Sequence, residues 1–141
     1  MVGYSGTPLP KKLGIADGSA VALLDAPRGF AKTLGIAKQA RLDGGVPLDV
    51  VVAFVTTRAA LVARIADVRP RLAQDGGLWI AWPKKSSGVA TEVTEDVVRE
   101  IALPTGLVDN KVCAIDETWS GLRLVIRREL RTPAPRRSSK R

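Results

Sequence analysis

Short runs of apolar residues alternate with amphipathic stretches from Ser19 to Asp116, the rhythm of strand and helix in an α/β chain. Val21-Ala22-Leu23-Leu24 is apolar at every position, as a strand covered on both faces requires, and predicts a first strand over Ser19 to Asp25. Asp25-Ala26-Pro27-Arg28-Gly29 ends it. Two turns of helix fit between Gly29 and Gly35, with Phe30 and Leu34 on one face. Ala37 to Leu42 reads as a short edge strand before the Gly44-Gly45-Val46-Pro47 break.

Asp49 to Val55 is β-branched and apolar almost throughout and predicts the second strand. Thr57 is placed to cap the next helix, whose stripe of Leu61, Ile65, Val68 and Leu72 faces a sheet until Pro70 kinks or ends it. Asp75-Gly76-Gly77 then reads as a tight turn feeding a third strand, Gly76 to Trp82, which delivers the loop Pro83-Lys84-Lys85-Ser86-Ser87-Gly88. Thr94 caps a helix to about Leu103, with Glu95 and Asp96 in the first turn, where the helix dipole favours negative charge. Leu107 to Asp116 is a long strand, Glu117-Thr118-Trp119-Ser120-Gly121 a turn, and Leu122 to Arg128 a returning strand. Its alternation of Leu122, Leu124 and Ile126 with Arg123, Val125 and Arg127 predicts one exposed face near the sheet edge.

Ahead of these elements, two prolines make Tyr4 to Pro10 an extended arm, and Lys11 to Ile15 a short helix or turn. The expected organisation is an arm and short helix over 1–18, one α/β domain over 19–130, and a tail over 131–141. The expected fold is a single doubly wound, mostly parallel sheet with helices on both faces and a C-terminal antiparallel hairpin.

Composition narrows the function more than the fold. The chain has 141 residues, 45% of them hydrophobic, enough for one core. No apolar run is long enough for a membrane span and no signal-peptide pattern is seen, so a soluble, cytoplasmic protein is expected. The lone Cys113 agrees with a reducing compartment. There is no histidine, which removes Ser-His-Asp and Cys-His catalysis and most zinc sites, and no metal site is expected. Net charge is +8, but five of the 22 basic residues lie in 131–141 with no acid beside them. That Pro, Ser and Arg tail is expected to be disordered, and either solubilises the chain or adds weak, salt-sensitive attraction to nucleic acid.

Leu13-Gly14-Ile15 through Asp17-Gly18 into Val21-Ala22-Leu23-Leu24-Asp25 resembles the entry to the first strand of class I S-adenosylmethionine-dependent methyltransferases. The segment from Asp49 to Val125 is similar to their back half, and Arg71-Leu72-Ala73-Gln74-Asp75-Gly76-Gly77-Leu78 is the best local match. The resemblance implies a Rossmann-like, methyltransferase-like topology, shortened. The whole chain also resembles a family of short bacterial proteins of unknown function that carry the Tyr-Ser-Gly-Thr-Pro-Leu, Trp-Pro-Lys-Lys-Ser-Ser-Gly and Asp-Glu-Thr-Trp-Ser-Gly segments. In the methyltransferases a Gly-rich loop admits the methionine part of the cofactor, and an acid ending the next strand binds ribose. Here that loop is Ala26-Pro27-Arg28-Gly29-Phe30, and the connection to the second strand leaves no room for the usual strand-helix-strand. These departures argue against S-adenosylmethionine and leave the cofactor unknown.

In a doubly wound sheet, ligands bind beyond the carboxyl ends of the parallel strands. Asp25, Thr56, the Lys84 to Gly88 loop and the Asp116 to Ser120 turn are expected at that edge. Lys84, Lys85, Ser86, Ser87 and Gly88 offer cations, hydroxyls and amides for a phosphate or carboxylate. Asp116 and Glu117 are paired carboxylates, and Trp119, beside Ser120, offers a stacking surface. The alternative is structural: Lys84 and Lys85 pair with Glu92, Glu95, Asp116 or Glu117, and Trp119 packs as a lid over a core holding Trp79 and Trp82. No catalytic residue is assigned. The favoured expectation is a non-catalytic module for a small anionic ligand or a protein partner, with a transferase-like enzyme and a nucleic-acid accessory protein as alternatives. Oligomeric state is left open.

Overall fold

The computed structural model describes residues 7–132. Five strands form one mixed sheet: β1 (Val21–Leu24), β2 (Leu48–Phe54), β3 (Leu72–Pro83), β4 (Leu107–Ala114) and β5 (Trp119–Ile126). Their spatial order is β1-β2-β3-β5-β4. β1, β2 and β3 run parallel, and β5 lies antiparallel between β3 and β4. Every strand except β5 therefore points the same way, and the loops after β1, β2, β3 and β4 all leave at one edge. This is the α/β, Rossmann-like, methyltransferase-like architecture expected from the sequence, with β1 the outermost strand on its side among the described residues.

Both faces are covered. On one face α3 (Arg58–Val68) and α4 (Glu95–Ala102) bring Leu61, Ile65, Val68, Val98 and Ala102 onto Val51, Ala53, Leu78, Ile80, Leu122, Leu124 and Ile126. Both helices start as their sequences dictate, since Thr57 Oγ1 accepts from the Ala60 amide at 3.0 Å and Thr94 Oγ1 from the Val97 amide at 3.2 Å. The other face carries α2 (Phe30–Leu34) and the end of α1 (Leu9–Lys12), with Leu13, Phe30 and Leu34 packed on Val50, Val52, Phe54 and Trp79. Trp79 is fully buried, and its indole N–H donates to the Leu13 carbonyl at 3.0 Å, which fixes the front of the chain to the middle of the sheet.

Several expectations are corrected. Residues 37–42 form no strand: one backbone bond, from the Ala40 amide to the Val21 carbonyl at 2.7 Å, ties this segment to the β1 edge. Single contacts of this kind hold a segment without starting a ladder. The Gly76-Gly77 pair is not a turn. It lies inside β3, where the register with β2 jumps from Leu48↔Leu72 to Val50↔Gly77, so the extra residues bulge. The first helix starts at Leu9, two residues ahead of the predicted start, because Pro10 suits an N-terminal helical position. β5 begins at Trp119, so the hairpin turn is shorter than expected. Its alternation survives with Leu122, Leu124 and Ile126 inward, but Val125 is buried and Arg123 lies over Gly77, so the second face is partly covered. The expected arm at Tyr4 and most of the basic tail lie outside the described residues.

Apart from Arg41 with Asp43 and Arg127 with Glu129, the ion pairs among the described residues are organised around helices α3 and α4. Arg99 reaches Glu95, Asp96 (3.2 Å) and Asp109 (3.1 Å), tying α4 to β4, and Arg58 reaches Glu100 at 2.7 Å. No helix among the described residues is long and apolar enough to cross a membrane. Cys113 is free and half-buried on edge strand β4. Burial pushes its thiol up despite Lys12 and Lys111 nearby, which disfavours the reactive thiolate at neutral pH.

Candidate functional site

The carboxyl edge of the sheet gathers the sequence candidates, though it gives them unequal work. Asp25 directly follows β1 in a left-handed conformation (φ 56°) that an Asp tolerates better than most residues. Its Oδ2 accepts from Arg64 Nη2 at 2.7 Å and Nε at 3.2 Å. Arg64 also reaches Asp67, so Asp25 anchors its loop to α3 and turns toward the α3 and α4 face.

Thr56 contributes its backbone. The Thr56 carbonyl accepts from the Glu92 amide (2.8 Å) and the Thr91 hydroxyl (3.1 Å), while Glu92 Oε1 accepts from the Arg58 amide at 2.8 Å. Glu92 thereby satisfies a free amide at the α3 N-terminus, where a carboxylate is favoured by the helix dipole. This clasp holds the far end of the 84–92 loop. The near end is held by the Lys84 amide, which donates to the Thr118 carbonyl at 2.7 Å and joins the basic loop to the hairpin turn.

Within the basic loop, Ser87 Oγ donates to the Lys84 carbonyl at 2.7 Å and accepts from the Val89 amide at 3.1 Å. The Ser87 and Gly88 amides close on the Lys84 and Lys85 carbonyls. Amides of Ser87, Gly88 and Val89 are thus spent on the loop's own shape, which leaves the Lys84 and Lys85 ammonium groups and the exposed Ser86 as the groups facing outward. Neither lysine forms an ion pair with the described residues. The structural pairing with Glu92, Glu95, Asp116 or Glu117 is therefore not formed, because Glu92 serves the α3 amide and Glu95 serves Arg99.

At the hairpin tip, Asp116 Oδ1 accepts from the Thr118 and Trp119 amides, both at 2.8 Å, the Asx turn that lets β4 fold back into β5. Glu117 is exposed and has no partner among the described residues. Trp119 is half-buried with its ring edge-on to Phe54 (centroids 4.9 Å, 86°), and Phe54 meets Phe30 likewise at 5.0 Å. Ser120 follows on the strand, so its side chain points to the face opposite Trp119. The candidates share an edge, and of them Asp116 lines a groove beside it.

A shallow groove of about 130 Å³ opens on the α2 side of this edge, lined by Leu9, Pro27, Arg28, Phe30, Thr33, Ile115 and Asp116. Only Asp116 belongs to the sequence candidates. Arg28 was legible only as a bulky group in the loop after β1; its position at the same edge is the signal that points to it. Among the described residues no group of three or more Cys, Asp or Glu side chains is arranged to hold a metal.

A family profile described as Protein of unknown function (DUF3052) matches residues 43–128. Among curated proteins none matches the sequence. Among solved structures, ribosomal protein L11 methylase from Lactobacillus delbrueckii subsp. bulgaricus is similar at TM-score 0.51 and 16% identity, over 83% of this chain and 61% of that one. A type 11 methyltransferase from Sulfolobus solfataricus gives 0.56 and 16%, over 84% of this chain and 89% of that one. A TehB-like SAM-dependent methyltransferase from Corynebacterium glutamicum gives 0.50 and 12%, over 84% and 85%. The chain spans about three fifths of the first of these. At such identities the likeness is one of fold.

The residues present do not fit S-adenosylmethionine held in the manner the fold resemblance implies. Among the described residues β1 is the outermost strand on its side, so none of them forms a neighbouring strand end to carry the ribose-binding acid. Asp25 is engaged by Arg64. The loop after β1 presents Pro27 and Arg28 where close backbone approach is needed, and the groove beside it is well below the roughly 300 Å³ at which pockets for larger ligands begin.

Proposed function

The chain belongs to the DUF3052 family of unknown function, and we propose that it is a non-catalytic binding module that recognises a small anionic ligand, or an anionic group on a protein partner, at the carboxyl edge of its sheet. One observation carries this reading. At that edge the acids Asp25 and Asp116 are committed to an ion pair and a turn and only Glu117 of the candidate acids stands free among the described residues, whereas Lys84 and Lys85 both stand without ion pairs on a loop clasped at both ends. A base engaged in holding its own loop is poorly placed to move a proton, while two unpaired cations on a fixed loop suit recognition of charge. A protein of this kind needs no histidine.

A thermal-shift screen of the protein against phosphate, nucleotides, acyl-coenzyme A and short dicarboxylates tests the reading. A ligand at about a hundred times its dissociation constant adds about 2.7 kcal/mol, which moves the midpoint of a chain this size by roughly 5 to 15 °C. The double variant Lys84→Ala with Lys85→Ala is expected to abolish that shift and change the unliganded stability by no more than about 0.5 kcal/mol, since no ion pair is lost. Loss of stability without any ligand effect would make the loop a scaffold. The methyltransferase-like neighbours favour a transferase as the second reading, and a shift with S-adenosylmethionine in the same screen would put it ahead.

A further inference from the structure

We propose that the groove between α1, α2 and the hairpin tip binds a small free α-amino acid as its zwitterion, Arg28 taking the carboxylate and Asp116 the ammonium. Two opposite charges line this one groove, yet they form no ion pair with each other or with any described residue. Arg28 is exposed and makes no hydrogen bond within the described residues. Asp116 uses Oδ1 for the Thr118 and Trp119 amides, so the turn holds the carboxylate in place while Oδ2 stays open. Because Arg28 and Asp116 line the same groove, a ligand that carries both charges has a partner for each. A simple anion would meet the Asp116 carboxylate, and a simple cation the Arg28 guanidinium.

The rest of the lining agrees with that chemistry. Thr33 Oγ1 donates its proton to the Gly29 carbonyl at 3.1 Å, so toward a ligand the oxygen can only accept, which suits an ammonium. Phe30 and Ile115 are buried and, with Leu9 and Pro27, form an apolar floor for a short side chain. At about 130 Å³ and open to solvent, the groove has room for only a molecule with few non-hydrogen atoms, such as alanine or serine. None of Lys84 to Gly88 lines the groove, so this inference goes beyond the anion reading and does not depend on it.

Titrating the ¹⁵N-labelled full chain with alanine into the tens of millimolar tests the inference. The Thr118 and Trp119 amides, bonded to Asp116, and the Phe30 amide are expected to shift saturably. Arg28→Ala and Asp116→Asn should each weaken binding by about tenfold or more. The asparagine keeps an oxygen for the turn amides, so an otherwise unchanged spectrum shows that the fold is intact. Propionate and ethylamine, each with one of the two charges, should bind at least about tenfold more weakly than alanine. The inference is overturned if no saturable shift occurs, if propionate matches alanine, or if Arg28→Ala binds as the parent does. Alanine binding lost in the Lys84 and Lys85 double variant but kept in Arg28→Ala would overturn it too, and leave the basic loop as the site.

Discussion

Replacing Trp79 with alanine is expected to cost about 3–5 kcal/mol, the range for deleting a large buried aromatic, and to bring the protein close to unfolding at room temperature. Trp79 is fully buried at the centre of the sheet, paired with Val52 on β2 and Arg123 on β5. Its ring fills the core under α2, where the space above Gly121 is shared by Trp79 and Ile115. Its N–H is also the buried partner of the Leu13 carbonyl, so the alanine both leaves a cavity and strands a polar atom. Urea denaturation followed by circular dichroism measures the loss. Trp79→Phe separates the two contributions, because it keeps most of the packing and removes only the hydrogen bond, for about 1–2 kcal/mol. An alanine variant less than about 1 kcal/mol weaker than the parent would mean that the indole does not occupy the core as described.

The adjacent glycines of β3 are expected to answer the same substitution very differently. A Cβ on Gly76 would stand 2.6 Å from the Leu48 carbonyl oxygen, with the Asp49 and Ala73 carbonyls at 3.1 and 3.2 Å. All three are backbone atoms of the bulge where β3 departs from β2, and they move only if the strands move. Gly76→Ala is therefore expected to cost about 3 kcal/mol, at the upper end for overpacking. A Cβ on Gly77 would be nearer still, 2.3 Å from Arg123 Nε, but that neighbour is the end of a flexible side chain. Arg123 is already half-buried at a cost in solvation, which burial expresses by lowering its guanidinium affinity for protons, so swinging it outward regains water. Gly77→Ala should stay within about 1 kcal/mol of the parent. Equal costs for the two variants, read from the same denaturation curves, would contradict the distinction between fixed and movable neighbours.

Periodicity carried the elements well wherever burial was one-sided or complete. The stripe of Leu61, Ile65 and Val68, the caps Thr57 and Thr94, and the apolar runs of β1 and β2 each depend on neighbours within a few residues, and each stands where the pattern puts it, whereas Leu72, read as the stripe's last member, opens β3 ahead of the predicted strand start at Gly76. The bulge at Gly76 was not legible, because a Gly-Gly pair serves a turn or a close backbone approach equally and only the partner strand decides. Residues 37–42 are not a strand because a ladder needs repeated bonds, and this segment makes one to β1, from the Ala40 amide to the Val21 carbonyl. The site was legible as an edge and not as a pocket. Topology sent Asp25, Thr56, Lys84 and Asp116 to the same end of the sheet. Which side each took depended on long-range pairs such as Arg64 with Asp25 and Glu92 with the Arg58 amide, across 39 and 34 residues. Arg28, in the loop before α2, and Thr33, within α2, line the groove together, and no local sequence pattern distinguishes their side chains from ordinary surface residues.

The lone bond between Ala40 and Val21 has a consequence for how this small fold tolerates growth. From Ile36 to Pro47 the chain runs along the open side of β1 with exposed glycines and an exposed Val46, and little of its backbone is committed to the sheet. Loops of that kind lengthen at small entropic cost, since each doubling adds only about 0.6 kcal/mol. Extra sequence spliced there would meet a strand whose outer amides and carbonyls are nearly all unclaimed. The same gap that leaves this protein compact is the seam along which a larger, wider-sheeted relative could be assembled from it.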